Sequence, residues 1–139
     1  MTDTPKRPLM SDRSPSYERA QSGTDEVPVV GAQVVALLSR LWEAEDNAAG
    51  ALDQAGTNAA VHRAHQAVLA KLIVAHGGSP PRADEARPIL THAADVARAG
   101  ATLPRALEQL YAELHTVYTK ALASPHLDEA LGAALTALA

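Results

Sequence analysis

The chain has no cysteine and no phenylalanine, and only one tryptophan and three tyrosines among its 139 residues. Without thiols, disulfides, iron–sulfur clusters, thiolate zinc sites and thiol nucleophiles are all excluded. Aromatics make up 3% of the residues while 47% are hydrophobic. The core is therefore built from Leu, Val, Ile and Ala, side chains that suit closely packed helices. Long apolar runs are also missing: none approaches the roughly 20 residues that span a bilayer. The N-terminal stretch "PLMSDRSPSYERAQSG" lacks the apolar region of a secretory signal. The cytoplasm is the expected compartment, and no membrane partner is expected. Basic charge is sparse as well, with 12 Lys and Arg against 16 Asp and Glu and a formal net charge of −4. That balance argues against a dedicated nucleic-acid binder, which concentrates basic residues on one face.

What is present divides in two. Residues 1–29 are rich in Pro, Ser, Thr, Asp and Arg and have no hydrophobic period. Such a segment buries too little apolar area to offset its chain entropy, and a disordered tail is expected. Residues 30–139 read as one helical domain. Nothing in them alternates with period two over a strand's length, so the fold class is all-α.

In "GAQVVALLSRLWEAEDNAAGALDQAG", Val34, Leu38, Leu41, Ala48 and Leu52 share one helical face, with Ser39, Arg40, Glu43, Asp46 and Asn47 on the other. Gly56 is placed to end this helix, and Thr57-Asn58 to cap the next. The second helix, "AVHRAHQAVLAKLIVAHGGSPP", stops at Gly77-Gly78 and is barred from resuming by Pro80-Pro81. A shorter helix is expected in "ADEARPILTHAADVARAG", with Pro88 in its first turn and Gly100 at its end. Thr102 then caps a long helix whose buried face carries Leu103, Leu107, Leu110, Leu114, Val117 and Tyr118. Ser124-Pro125 breaks it. A last, short helix keeps Leu127, Leu131, Leu135 and Leu138 in register. These patterns predict an antiparallel four-helix bundle with a short extra helix in the linker between the second and third long helices.

The informative polar residues are those that fall inside the apolar arcs. Glu45 lies at the centre of the first helix's arc, and a buried carboxylate is costly unless paired, metal-bound or protonated. Glu43 is expected in solvent. In the second helix the wheel puts Val61, Val68 and Leu72 on the buried side, with Leu69 and Ile73 at its border. His65 then sits near the middle and His62 beside it, while Arg63, Gln66 and Lys71 face away. Histidines at i and i+3 are neighbours on a helix surface and suit one metal ion, although a hydrogen-bonded core histidine has the same pattern. His76, in the last turn, is read as a partner for the carbonyl end of the helix. On the third long helix Glu113 and His115 flank opposite sides of the arc.

The pieces "RLWEAEDNAAGAL", "HRAHQAVLAKLIVAHGGSPP" and "LEQLYAELHTVYTKAL" together resemble the ferritin-like superfamily of four-helix bundles, in particular its small bacterial members. The resemblance implies a carboxylate-rich metal site, with one Glu from the first helix and Glu-x-x-His from the second, repeated on the third and fourth. It places Glu45 at the first-helix position and His65 at the histidine of the second. His62 stands where a bridging Glu is expected, and Glu113 is the candidate for the third helix. His62 cannot bridge two ions as a carboxylate does, and the last helix has no Glu-x-x-His. A complete di-iron centre and its oxygen chemistry are therefore not expected.

Two functions follow as expectations. The first is a non-catalytic bundle acting as a binding or structural module, stress-associated in a bacterium, with homo-oligomers formed through helical faces such as the leucine-rich last helix. The second is a divalent-metal protein using Glu45, His62 and His65, with Glu113 as a further candidate ligand, for iron, zinc or copper. An acid–base enzyme built on Glu45 and His65 ranks below both. The sequence has no glycine-rich phosphate loop, nucleophile elbow or recognisable triad to support it.

Overall fold

In a computed structural model, which describes residues 26–139, five α-helices follow one another: α1 Glu26–Gln54, α2 Ala60–Ala75, α3 Ala93–Ala97, α4 Leu103–Leu122 and α5 Glu129–Leu138. Short 3-10 turns cover Ala83–Glu85 and Gly100–Thr102, and there is no strand among the described residues. The all-α class is as expected. The tail expected over residues 1–29 lies, up to residue 25, outside the described residues, and helix already begins at Glu26. The chain divides into two units, Met1–Ala32 and Gln33–Ala139. The contacts described below lie within the second.

Glycine ends the first two helices by the same device. Gly56 takes φ +74° and Gly77 φ +87°, a left-handed conformation that side chains other than glycine's resist. After α1, the Thr57 N–H reaches Leu52 O at 2.9 Å and the Gly56 N–H reaches Asp53 O at 3.1 Å. After α2, Gly78 bonds Ile73 O at 2.9 Å and Gly77 bonds Val74 O at 3.0 Å. Both are Schellman closures that satisfy carbonyls a helix end leaves open. His76 adds a side-chain bond, its Nδ1–H donating to Leu72 O at 2.8 Å. At the other end of the chain, Asp128 caps α5 through Oδ1, which accepts from Leu131 N–H at 2.7 Å. Thr102 precedes α4, but its hydroxyl donates backwards to Ala99 O rather than capping the helix.

The pairing of α1 with α2 is antiparallel, because partners advance along one helix as they retreat along the other. Arg63 meets Asp53 and Asp46, Gln66 reaches the Trp42 carbonyl, and Gly78 lies against Val35. A Cβ on Gly78 would fall 2.5 Å from a Val35 methyl, so the bare glycine sets how closely the turn approaches α1.

α1 is covered on more than one side. Leu38, Leu41, Ala48 and Leu52 are buried as expected, and so are Trp42, Ala44, Ala49 and Ala51. Glu43 is also buried, contrary to the expectation of a solvent position. The reason is the segment after α2. Its backbone is tied to α1 by side chains: Glu43 accepts from the Arg87 N–H and guanidinium, and Asn47 Oδ1 accepts from the N–H groups of Ile89 at 2.6 Å and Leu90 at 3.0 Å. The Asn47 amide donates in return to Arg87 O. With its polar backbone groups satisfied this way, the segment stays non-helical. Pro88 therefore lies outside any helix instead of in a first turn, and α3 is only five residues long.

The buried face of α2 is also rotated from the expected one. Leu69 and Ile73 are fully buried, and His62 and Gln66 are with them. Val61 is 58% exposed and Val68 41% exposed. Gln66 turns inward because its amide finds Trp42 O and the Asp46 carboxylate. On α4, Tyr118 is buried with Leu110 and Leu114, and on α5 the leucine register holds, with Leu131 and Leu135 buried.

Candidate metal centre

Three helices bring the site together. α1 supplies Glu45 from its C-terminal half, α2 supplies His62 and His65 from its first two turns, and α4 supplies Tyr118 and Tyr111. Glu45 is completely buried. Its carboxylate accepts from the His62 Nδ1–H on Oε1 at 2.7 Å and from the His65 Nδ1–H on Oε2 at 3.1 Å. The Tyr118 hydroxyl donates to Oε2 as well. One carboxylate thus meets three hydrogen-bond donors, which take the place of water around a buried carboxylate. His62 extends the chain outward: its Nε2 lies 3.0 Å from the Tyr111 hydroxyl, and the two rings stack with centroids 5.6 Å apart.

The two histidines exchange the roles expected of them. His62 is the inner one, 2% exposed, while the side chain of His65 is 22% exposed. The i, i+3 spacing nevertheless delivers both rings to the same carboxylate, with ring centroids 6.1 Å apart. Burial raises the titration of Tyr118 far above the ordinary tyrosine value, and the neighbouring Glu45 charge and hydrogen bond add to it. Tyr111 is raised for the same two reasons, burial first and Glu45 second. Both phenols therefore stay protonated and act as hydrogen-bond donors or acceptors, not as anions.

Glu113 is not brought to this cluster. Its carboxylate accepts from the Thr91 N–H at 2.8 Å, the Thr91 hydroxyl at 2.7 Å and the His92 N–H at 3.0 Å. It closes the start of α3 from the neighbouring helix, a capping role performed by a residue distant in sequence. Burial pushes this carboxyl up, but the bonds from His92 and Thr91 outweigh it and hold the group below the usual glutamate range. His115, His126 and His92 also stay outside the cluster.

Among the described residues, Glu45, His62 and His65 form a group able to hold a metal ion, each offering one ligand atom and all within 4.8 Å of one another. One carboxylate oxygen and two imidazole nitrogens suit zinc, iron or copper. Binding an ion at about 2.0–2.2 Å from each atom would need side-chain rotations that bring the three ligand atoms, now within 4.8 Å of one another, around a common point. The surroundings also fit. With both imidazoles ligating through Nδ1, the His62 Nε2–H would donate to Tyr111, and Tyr118 would fix the carboxylate, the kind of outer support that orients metal ligands. Sequence reasoning did not assign Tyr118 to the site, although its inward position was a signal: a buried phenol needs a partner for its hydroxyl. Comparisons with protein-family models, curated proteins and solved structures found no match for this chain.

Proposed function

We propose that the chain is a non-catalytic, ferritin-like helical bundle of a bacterial cytoplasm whose role is to bind, and that its ligand is a divalent transition-metal ion held by Glu45, His62 and His65. The observation that carries this reading is the convergence of a fully buried carboxylate with two imidazoles, their ligand atoms within 4.8 Å of one another. The ferritin-like part draws its support from the antiparallel α1–α2 pair, the metal-type residues that this pair brings face to face, and the long linker before α4. Self-association through helical faces and a stress-linked role belong to the same reading. A second reading keeps the three residues as a purely structural network, favoured by the hydrogen-bond lengths of 2.7 and 3.1 Å between carboxylate and imidazoles.

Metal linkage separates the two. Chelator-treated protein is titrated with Zn²⁺, and with Fe²⁺ under anaerobic conditions, while thermal unfolding is followed. A site for the ion raises the midpoint, by the equivalent of about 2.7 kcal/mol when free metal stands at about 100 times Kd. The increment is expected to vanish in Glu45→Gln and His65→Ala and to persist in Glu113→Gln. No shift with either ion would leave the hydrogen-bonded network as the whole role of these residues.

A further inference from the structure

A cavity of about 370 Å³ opens beside the cluster, between α2, α4 and the end of α5. His62, His65 and Tyr118 form its floor, and Val61, Leu114 and Leu138 its apolar walls. Its volume falls in the range of small-molecule pockets, about 300–1,000 Å³. Two of the large hydrophobic side chains left exposed by the fold, Val61 at 58% and Tyr111 at 41%, both sit at this cavity. The polar side chains around it are imidazoles and phenols, those of His62, His65, His115, Tyr111 and Tyr118, and Ala139 lines it beside Leu138. No acidic side chain lines it, and Glu45 lies behind the floor, engaged by all three of its donors.

Charge and coordination then specify an occupant. Two neutral imidazoles and one carboxylate around a divalent ion would leave one net positive charge beside a fully buried carboxylate and a half-buried imidazole. Unbalanced charge is costly there, and a single anion removes it. Three protein ligands also leave one of four tetrahedral positions open. The apolar walls ask for an apolar body attached to that anion. We propose that the cavity binds a small monocarboxylate with an aromatic or branched apolar body. Its carboxylate takes the open position on the metal and its body lies against Val61, Leu114 and Leu138. This rests on the reading of the cluster as a metal centre.

The test uses zinc-loaded full-length protein and three probes of one shape, benzoate, benzamide and benzylamine, followed by calorimetry. Benzoate is expected to bind at least about tenfold more tightly than either neutral amide or cationic amine, because only it supplies the missing charge. Val61→Trp, at an exposed wall position, fills part of the cavity and is expected to weaken benzoate by at least about tenfold. Zinc uptake without benzoate binding overturns the pocket and leaves the metal centre standing, as does a benzylamine affinity equal to that of benzoate. Failure to take up zinc overturns both.

Discussion

Glu43 and Glu45 are two residues apart on α1, both buried, and they live in opposite chemical settings. Glu43 meets a full positive charge and a backbone N–H from one residue, Arg87, and its side chain holds a loop in place. Burial pushes its carboxyl up, and the Arg87 bonds more than reverse that. Glu45 meets no permanent cation among the described residues. It is surrounded by two imidazoles and a phenol, and the imidazoles are groups able to ligate a metal. The first arrangement is what a fold uses to fasten a segment. The second gathers ligand-type atoms.

Removing the carboxylate in Glu45→Ala strands two buried donors, His62 and Tyr118, and the half-buried His65, and a stability loss of about 2–4 kcal/mol is expected in urea unfolding. A loss below about 1 kcal/mol would show that the site is held open by the helices alone, without help from its own network. On the fastening side, Asn47→Ala removes one amide that serves three backbone groups of the 87–90 segment. Solvent reaches these groups more easily, so about 1–2 kcal/mol is expected, together with faster amide exchange at Ile89 and Leu90. Unchanged exchange would mean the segment is held by its apolar contacts.

The smallest effects are those of pH, and they run in opposite directions. Glu43 and Glu113 both titrate below the ordinary glutamate value of 4.5. Their contribution is full above that value and is lost as pH falls through the lower folded values. Tyr118 is raised above the ordinary 10.0. Its contribution is full below that value and is lost as pH rises beyond it, when the unfolded chain ionises first. Unfolding midpoints against pH should show an acid limb flattened by Glu43→Gln or Glu113→Gln, and an alkaline limb flattened by Tyr118→Phe. An acid limb untouched by Glu43→Gln would mean that Arg87 does not fasten Glu43 as a charged pair.

The all-α class, the two glycine stops, the leucine register of α5 and the inward Glu45 were legible in the sequence because each depends on local periodicity or on one residue's backbone freedom. What was not legible depends on what covers a helix. A wheel assigns one apolar face, whereas α1 is buried on several sides. The second cover is a non-helical segment whose hydrogen bonds come from Glu43 and Asn47, residues the wheel sends to solvent. The rotation of α2 has a similar cause. Gln66 and His62 are turned inward by partners on α1 and α4, which outweigh the burial of Val61 and Val68. The ferritin-like resemblance makes Glu113 the candidate for the third helix, although it only flanks the apolar arc. Only the fold shows two N–H groups waiting for it at the start of α3.

The site's partners differ in how far along the chain they come from. His62 and His65 are 17 and 20 residues from Glu45, whereas Tyr118 is 73 residues away. Closing the short α1–α2 loop costs less entropy than bringing in α4. The carboxylate and both imidazoles belong to a local hairpin, and among the described residues the phenol is the one partner of Glu45 that comes from outside it. An opening that lifted α4 away would therefore bare the proposed site while leaving its three ligand residues on one helical pair.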